Sequence, residues 1–139
     1  MAKTLNLQIV TPDGVVLSED VEMVGLRSAE GQIGILPNHV RLMTQMLTGE
    51  MMVRKDGQDK FLAVGEGLVE VTGDRVAILT DMAIAVESID EARAEEARRQ
   101  AEARLHEKIS AADLASVNAA LARTLTQLRV KRRHSGTLT

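Results

Sequence analysis

A chain of 139 residues, 45% hydrophobic and 27% charged, is long enough to bury its own core; with no cysteine it can use no disulfide, thiolate metal site or thiol nucleophile. Seventeen basic against 20 acidic residues leave a net charge of −3, which excludes a general attraction to nucleic acid, and Phe61, the sole aromatic side chain, excludes stacking platforms for bases or sugars. No apolar run approaches the roughly 20 residues that cross a bilayer, and the first eight residues lack the apolar core of a signal peptide, so a soluble protein of the cytoplasm or an equivalent compartment is expected.

The first part of the chain reads as short strands separated by turns. Leu5, Leu7 and Ile9 alternate with polar neighbours, Thr11-Pro12-Asp13-Gly14 supplies a turn, and Val15-Val16-Leu17 opens the next strand. Val21 and Met23 alternate with Asp20 and Glu22 in the same way. Met51-Met52-Val53 and Phe61-Leu62-Ala63-Val64 flank Lys55-Asp56-Gly57-Gln58, which predicts a hairpin with glycine where a positive φ is needed. Leu68, Val69 and Val71 face Val76, Ile78 and Leu79 across Thr72-Gly73-Asp74, a second hairpin. Roughly eight to ten strands at this spacing, with no helical interval, predict an antiparallel sandwich or flattened barrel over residues 1–85.

Composition then changes. Nine of the ten glycines lie between Gly14 and Gly73, whereas 13 of the 17 alanines lie at Ala83 or beyond. Glycine serves turns and alanine is the best helix former, so residues 86–139 are expected to form a separate helical domain. Ser88-Ile89-Asp90-Glu91 fits a capping box, and Ala94, Ala97, Ala101, Leu105 and Ile109 follow as one apolar stripe. Ser110 and Asp113 mark a second start, followed by Leu114, Val117, Leu121, Leu125 and Leu128. Two helices of about 20 residues, joined around Ser110, form an antiparallel hairpin roughly 28 Å long. Alanine methyls bury little area, so such a hairpin leans on the sandwich, on a partner, or on both in turn.

Charge is divided as sharply as composition. Up to Asp113 there are 12 basic and 20 acidic residues; beyond it come five cations, Arg123, Arg129, Lys131, Arg132 and Arg133, and no acid. A cationic helix C-terminus suits the macrodipole, which accounts for one or two of them. The remainder point to docking on an acidic surface, and a protein groove fits better than nucleic acid or a membrane, since no aromatic side chain accompanies the cluster. Catalytic constellations do not appear: His39, His106 and His134 are isolated in sequence, and no nucleophile elbow, phosphate loop or dinucleotide fingerprint occurs.

The segment Glu30-Gly31-Gln32-Ile33-Gly34-Ile35-Leu36-Pro37-Asn38-His39 resembles the signature of the epsilon subunit family of F-type ATP synthases. The likeness continues through Gly65-Glu66-Gly67-Leu68-Val69-Glu70-Val71, Val76-Ala77-Ile78-Leu79-Thr80-Asp81 and Ile89-Asp90-Glu91-Ala92-Arg93-Ala94, and ends in Gln127-Leu128-Arg129-Val130. It implies a non-catalytic rotor chain of the central stalk, seated between the gamma subunit and the c-ring and peripheral to the cytoplasmic face of an energy-transducing membrane. Glu30, Gln32 and His39 match the ring-facing positions; Gln32 stands where some relatives carry an acid, and Arg41 where a proline is commoner. The resemblance further implies that the hairpin inhibits ATP hydrolysis, with Arg123, Arg129, Lys131, Arg132 and Arg133 meeting the catalytic alpha and beta subunits.

No resident cofactor is implied, but some members bind ATP as a regulatory ligand through an Ile/Leu-Asp-x-x-Arg-Ala motif. Ile89, Asp90, Arg93 and Ala94 match it, while Ile84 replaces an acid. Asp90 and Arg93 also suit a structural role in a first helical turn. A free-standing nucleotide-sensing regulator is the alternative reading.

Overall fold

The computed structural model describes residues 3–134; the last five residues expected in the helical domain lie outside that range. Alternation decides the strands. Leu5, Leu7 and Ile9 of β1 (Leu5–Thr11) are buried while Asn6 and Gln8 between them are not. After β2 (Gly14–Val21), β3 (Met23–Ser28), β4 (Gly31–Ile35) and β5 (Leu42–Met46) come two tight hairpins. In the first, β6 (Gly49–Lys55) turns into β7 (Gln58–Val64) through Asp56 and Gly57, both at positive φ, the geometry of a two-residue turn whose twist matches the strands. In the second, β8 (Gly67–Thr72) returns as β9 (Arg75–Thr80) with Gly73 at φ +57°.

With β10 (Ala83–Ala85) the strands form one sheet in the order β10-β7-β6-β3-β5-β8-β9-β1-β2, and β4 adds to β3 alone. β3 carries the corner: residues 23–25 pair with β6, and Ser28 pairs with β5. The sheet thereby folds over itself, and all ten strands send residues into a single core that includes Leu7, Ile9, Leu26, Ile35, Met46, Met51 and Ile78. Each such side chain contributes about 1.5–3 kcal/mol on burial.

The expected β domain followed by a helical hairpin is present, but its pairing is not wholly antiparallel. β1 runs parallel to β9, from Asn6 opposite Arg75 to Val10 opposite Leu79. A parallel neighbour needs a long connection, and here nearly the whole domain lies between the two strands. Sequence alternation identifies both strands and says nothing of that direction.

Beyond β10 a 3₁₀ turn, Val86–Ser88, leads into α1 (Glu91–Leu105) and α2 (Ala111–His134), the latter packed on β7, β6 and the 3₁₀ turn. The helices are 15 and 24 residues long instead of about 20 each. α1 stops early because the His106 amide turns back to the Ala103 and Arg104 carbonyls. The second start is as expected: the Asp113 amide donates to Ser110 Oγ at 3.1 Å.

Candidate regulatory interface between hairpin and sheet

The first helix start differs from the expected capping box. Ser88 belongs to the 3₁₀ turn, in which the Ile89 amide donates to the Val86 carbonyl at 3.3 Å, so the cap passes to Asp90. Its Oδ1 accepts from the Arg93 amide at 3.1 Å. Asp90→Ala should therefore cost about 1 kcal/mol of α1 stability and Asp90→Asn much less, read as faster amide exchange in the first turn of α1.

The expected apolar stripes are only partly used. Ala94, Val117, Thr126, Leu128 and Val130 are buried, whereas Leu114 is 42% exposed and Leu125 38%. Leu128 and Val130 stand two residues apart, about 200° around the helix, so the end of α2 is covered on two sides. Val130 enters a small cluster with Ala63, Met82 and Ile89, with Ile84 and Val86 against its edge. The core under the hairpin is thus thin.

Charge supplies the remaining attachment of α2, both to the sheet and to α1. Arg123 reaches Asp81 at 3.3 Å; Arg132 bridges Glu91 at 2.8 Å and Glu95 at 2.9 Å; Arg133 reaches Glu50 at 3.2 Å. Lys131 Nζ donates to the Val86 carbonyl at 3.1 Å, and Arg129 is exposed with no ion pair among the described residues. The acidic surface that the cationic end was expected to seek is, in this posture, the chain's own. The Arg98 guanidinium, hydrogen-bonded to Glu95, holds that carboxyl below the usual carboxylate range; partial burial opposes the shift and Arg132 adds to it. Because the folded-state value is the lower one, the associated stability is in force at neutral pH and is lost only as pH falls through that depressed value.

His134 closes the interface. Its imidazole stacks on Phe61 with ring centroids 4.0 Å apart and planes 16° from parallel, and its Nε2–H donates to Glu50 Oε1. Sequence reasoning missed this pair and missed Glu50, since only the fold joins positions 50, 61 and 134. The available signal was coarse, an acidic body with a cationic end.

Ile89, Asp90, Arg93 and Ala94 do converge. With Ile84, Ser88, Ala97, Thr124 and Gln127 they line a cleft of about 370 Å³ between the two helices and the end of β10. The three candidate ring-facing residues do not. Glu30 and Gln32 sit at the β3–β4 turn, beside the end of β5, where the Ala29 amide donates to the Gln45 carbonyl. His39 lies at the opposite end of β4, next to the β8–β9 turn, where the Asn38 amide donates to Asp74 Oδ1 at 3.1 Å. Among the described residues no cluster could hold a metal ion, and no helix is long and apolar enough to cross a membrane.

Two family models cover nearly all of this architecture: the ATP synthase delta/epsilon chain β-sandwich domain over residues 4–86, and the long α-helix domain of the same chain over residues 87–132. The chain belongs to the ATP synthase delta/epsilon family. This is a family of non-catalytic subunits of the complex. Similar epsilon chains include that of Bacillus licheniformis, 42% identical over 94% of this chain and 99% of its own, and that of Herpetosiphon aurantiacus, 44% identical over 91% and 93%. Among solved structures, a chain of the Euglena gracilis mitochondrial ATP synthase aligns over 88% of this chain and 78% of its own with a TM-score of 0.71 at 24% identity. A chain of the Tetrahymena thermophila mitochondrial central stalk and c-ring gives 0.56 at 12% identity over 93% and 97%. At these identities the likeness shows the fold alone.

Proposed function

We propose that this delta/epsilon chain is a rotor component of the central stalk of a proton-translocating F-type ATP synthase. It carries c-ring rotation to the catalytic head through gamma and restrains ATP hydrolysis with its C-terminal helices. The carrying observation is how the hairpin is held on the sheet: a thin apolar cluster and the ion pairs of Arg123 with Asp81 and Arg133 with Glu50, while Arg132 pairs with Glu91 and Glu95 inside the hairpin. An attachment made of partly exposed ion pairs is weak and exchangeable, so the same cations can leave for acidic segments of the alpha and beta subunits. In that role the chain is peripheral to the membrane, attached only through the complex.

The sheet supplies a surface for gamma. Leu68 and Leu79 stand opposite each other on β8 and β9, 55% and 56% exposed, and Leu79 adjoins Val10, which adjoins exposed Val15. An apolar strip of this extent on an outward sheet face marks an interaction site. Replacing Leu68 and Leu79 together by glutamate should lower gamma capture from purified components about tenfold while leaving the melting temperature of the isolated chain nearly unchanged. Undiminished capture would remove gamma from this face.

For the ring we assign Glu30 and Gln32 at one turn, with His39 as the third candidate at the other end of β4. The β3–β4 turn is exposed and braced, with Ser28 Oγ donating to the Gly31 carbonyl at 2.8 Å and accepting from the Glu30 amide at 3.2 Å. His39 Nδ1–H donates to the Val40 carbonyl at 2.7 Å, which orients the ring and leaves Nε2 for a further contact.

ATP as a regulatory ligand is a second reading, favoured by the convergence of Ile89, Asp90, Arg93 and Ala94 on one cleft between the two helices and the end of β10. Titration calorimetry of the isolated chain with millimolar ATP tests it; no heat would remove it.

A further inference from the structure

We propose that Met82 is a methionine oxidation site whose conversion to the sulfoxide by a peroxide bars α2 from the sheet. Met82 follows β9 and sits under the docked helix, 7% exposed, in the small cluster it forms with Ala63, Ile89 and Val130. Two residues one helical turn apart on α2 hold this spot: Arg123 pairs with Asp81 at 3.3 Å, and Gln127 Nε2 donates to Met82 Sδ at 3.1 Å. The Met82 backbone belongs to the sheet, since its carbonyl accepts from the Gly65 amide at 2.9 Å and Ala83 after it pairs with Val64. Departure of α2 therefore uncovers the thioether and leaves the residue that carries it in place.

The reaction needs only the uncovered sulfur and hydrogen peroxide. A sulfur lone pair attacks one peroxide oxygen and becomes the new S–O bond, the O–O bond breaks, and the departing hydroxide takes the proton from the transferred oxygen and leaves as water. Sulfur is oxidised and the peroxide is reduced. The new oxygen has no place under the docked helix. On the Gln127 side it would overlap Nε2, which already stands 3.1 Å from sulfur. Elsewhere in the cluster it meets the aliphatic side chains of Ala63, Ile89 and Val130, with Ile84 and Val86 at the edge, none of which can donate to it. A sulfoxide is far more polar than a thioether, and a strong acceptor buried without a donor outweighs an attachment as thin as this one. Oxidation in the open posture thus blocks reclosure until a methionine sulfoxide reductase restores the thioether. Other methionines supply references within the same chain: Met43 is 69% exposed, whereas Met46 and Met51 are fully buried in the β core. The inference rests on the hairpin leaving the sheet, as in the function proposed above, where a peroxide would hold the chain in the posture that restrains hydrolysis.

The test treats the isolated full chain with hydrogen peroxide and follows oxygen addition at each methionine by peptide mass spectrometry, with hydrogen exchange of the α2 amides from Arg123 to Val130 before and after. Met82 should react more slowly than Met43 and much faster than Met46 and Met51. Replacing Arg123 and Arg133 together by alanine should speed oxidation of Met82 about three- to tenfold and leave that of Met43 unchanged. Once Met82 is oxidised, the α2 amides should exchange about tenfold faster or more, and a sulfoxide reductase should reverse the change. Met82→Leu keeps the apolar volume, so it should dock as the wild type does and lose the response to peroxide. Met82 reacting no faster than Met46 and Met51, α2 exchange unaltered by its oxidation, or an equal rise in Met82→Leu overturns the site. Met82 that stays reduced in a chain that captures gamma overturns the site alone. Oxidation that releases α2 in a chain unable to capture gamma leaves the site standing and overturns the stalk reading.

Discussion

Changing Glu50 and Glu91 to glutamine and Asp81 to asparagine in one chain should deepen inhibition of ATP hydrolysis in the reconstituted enzyme, whereas changing Arg123, Arg129, Lys131, Arg132 and Arg133 to alanine should relieve it. Both variants loosen the hairpin from the sheet, because each removes one side of the pairs Arg123–Asp81 and Arg133–Glu50; each also breaks Arg132–Glu91, which joins α2 to α1. They differ in what is released. The acid variant frees a cationic arm with its full charge, and the arginine variant frees an arm with nothing to offer an acidic groove. Individually these partly exposed pairs are weak, so single substitutions should change little and the combined set should shift the docked population on the order of tenfold or more. The acid variant should also show the steeper salt dependence, since its contact with the head would be the more electrostatic. Steady-state ATPase rates at two salt concentrations decide it: equal rates for the two variants would mean that the cationic end does not act on the catalytic subunits.

Gly67→Ala is expected to be the most damaging small change in the sheet. A Cβ built there lies 2.1 Å from the Leu79 carbonyl oxygen and 3.0 Å from the Thr80 Cα, both backbone atoms of the paired strand β9. Relief requires β8 and β9 to separate, which disturbs the Val69–Ile78 and Val71–Val76 pairs behind them, all four buried. A loss of about 3 kcal/mol or more follows from overpacking of this kind, or a drop of roughly 10 °C in melting temperature for a domain of this size. Gly73→Ala is the control. Unlike Gly67 it carries a positive φ, +57°, but nothing lies within 4 Å of its Cβ position, so only the left-handed backbone cost of about 1 kcal/mol applies. Similar melting points for the two variants would show that close approach at Gly67 is not what demands glycine.

The hairpin turns were legible because their causes are local. Asp56-Gly57 and Gly73 need only their own backbone preferences, and Ser110 caps α2 with an amide three residues away. Ser88 shows where locality ends. As a sequence it is as good a cap as Ser110, yet the preceding β10 strand pairs with β7 and leads directly into a 3₁₀ turn that takes Ser88 with it, leaving Asp90 to cap α1. Glu30, Gln32 and His39 follow the same rule: they are near in sequence, but an intervening extended strand carries His39 to the other end of the sheet, since a strand advances about 3.3 Å per residue.

The amino-acid order alone settled the strand-then-helix architecture, the hairpin turns and the contrast between an acidic body and a cationic end, because periodicity, backbone preference and charge count are properties of neighbours along the chain. Only the tertiary structure decided that β1 joins β9 in parallel, that Val130 rather than Leu125 is buried, and that Arg123, Arg132 and Arg133 find Asp81, Glu91, Glu95 and Glu50. Those outcomes depend on which surfaces meet across distances of 37 to 83 residues along the chain, as with His134 reaching Glu50 over 84, and no local preference carries information over such separations.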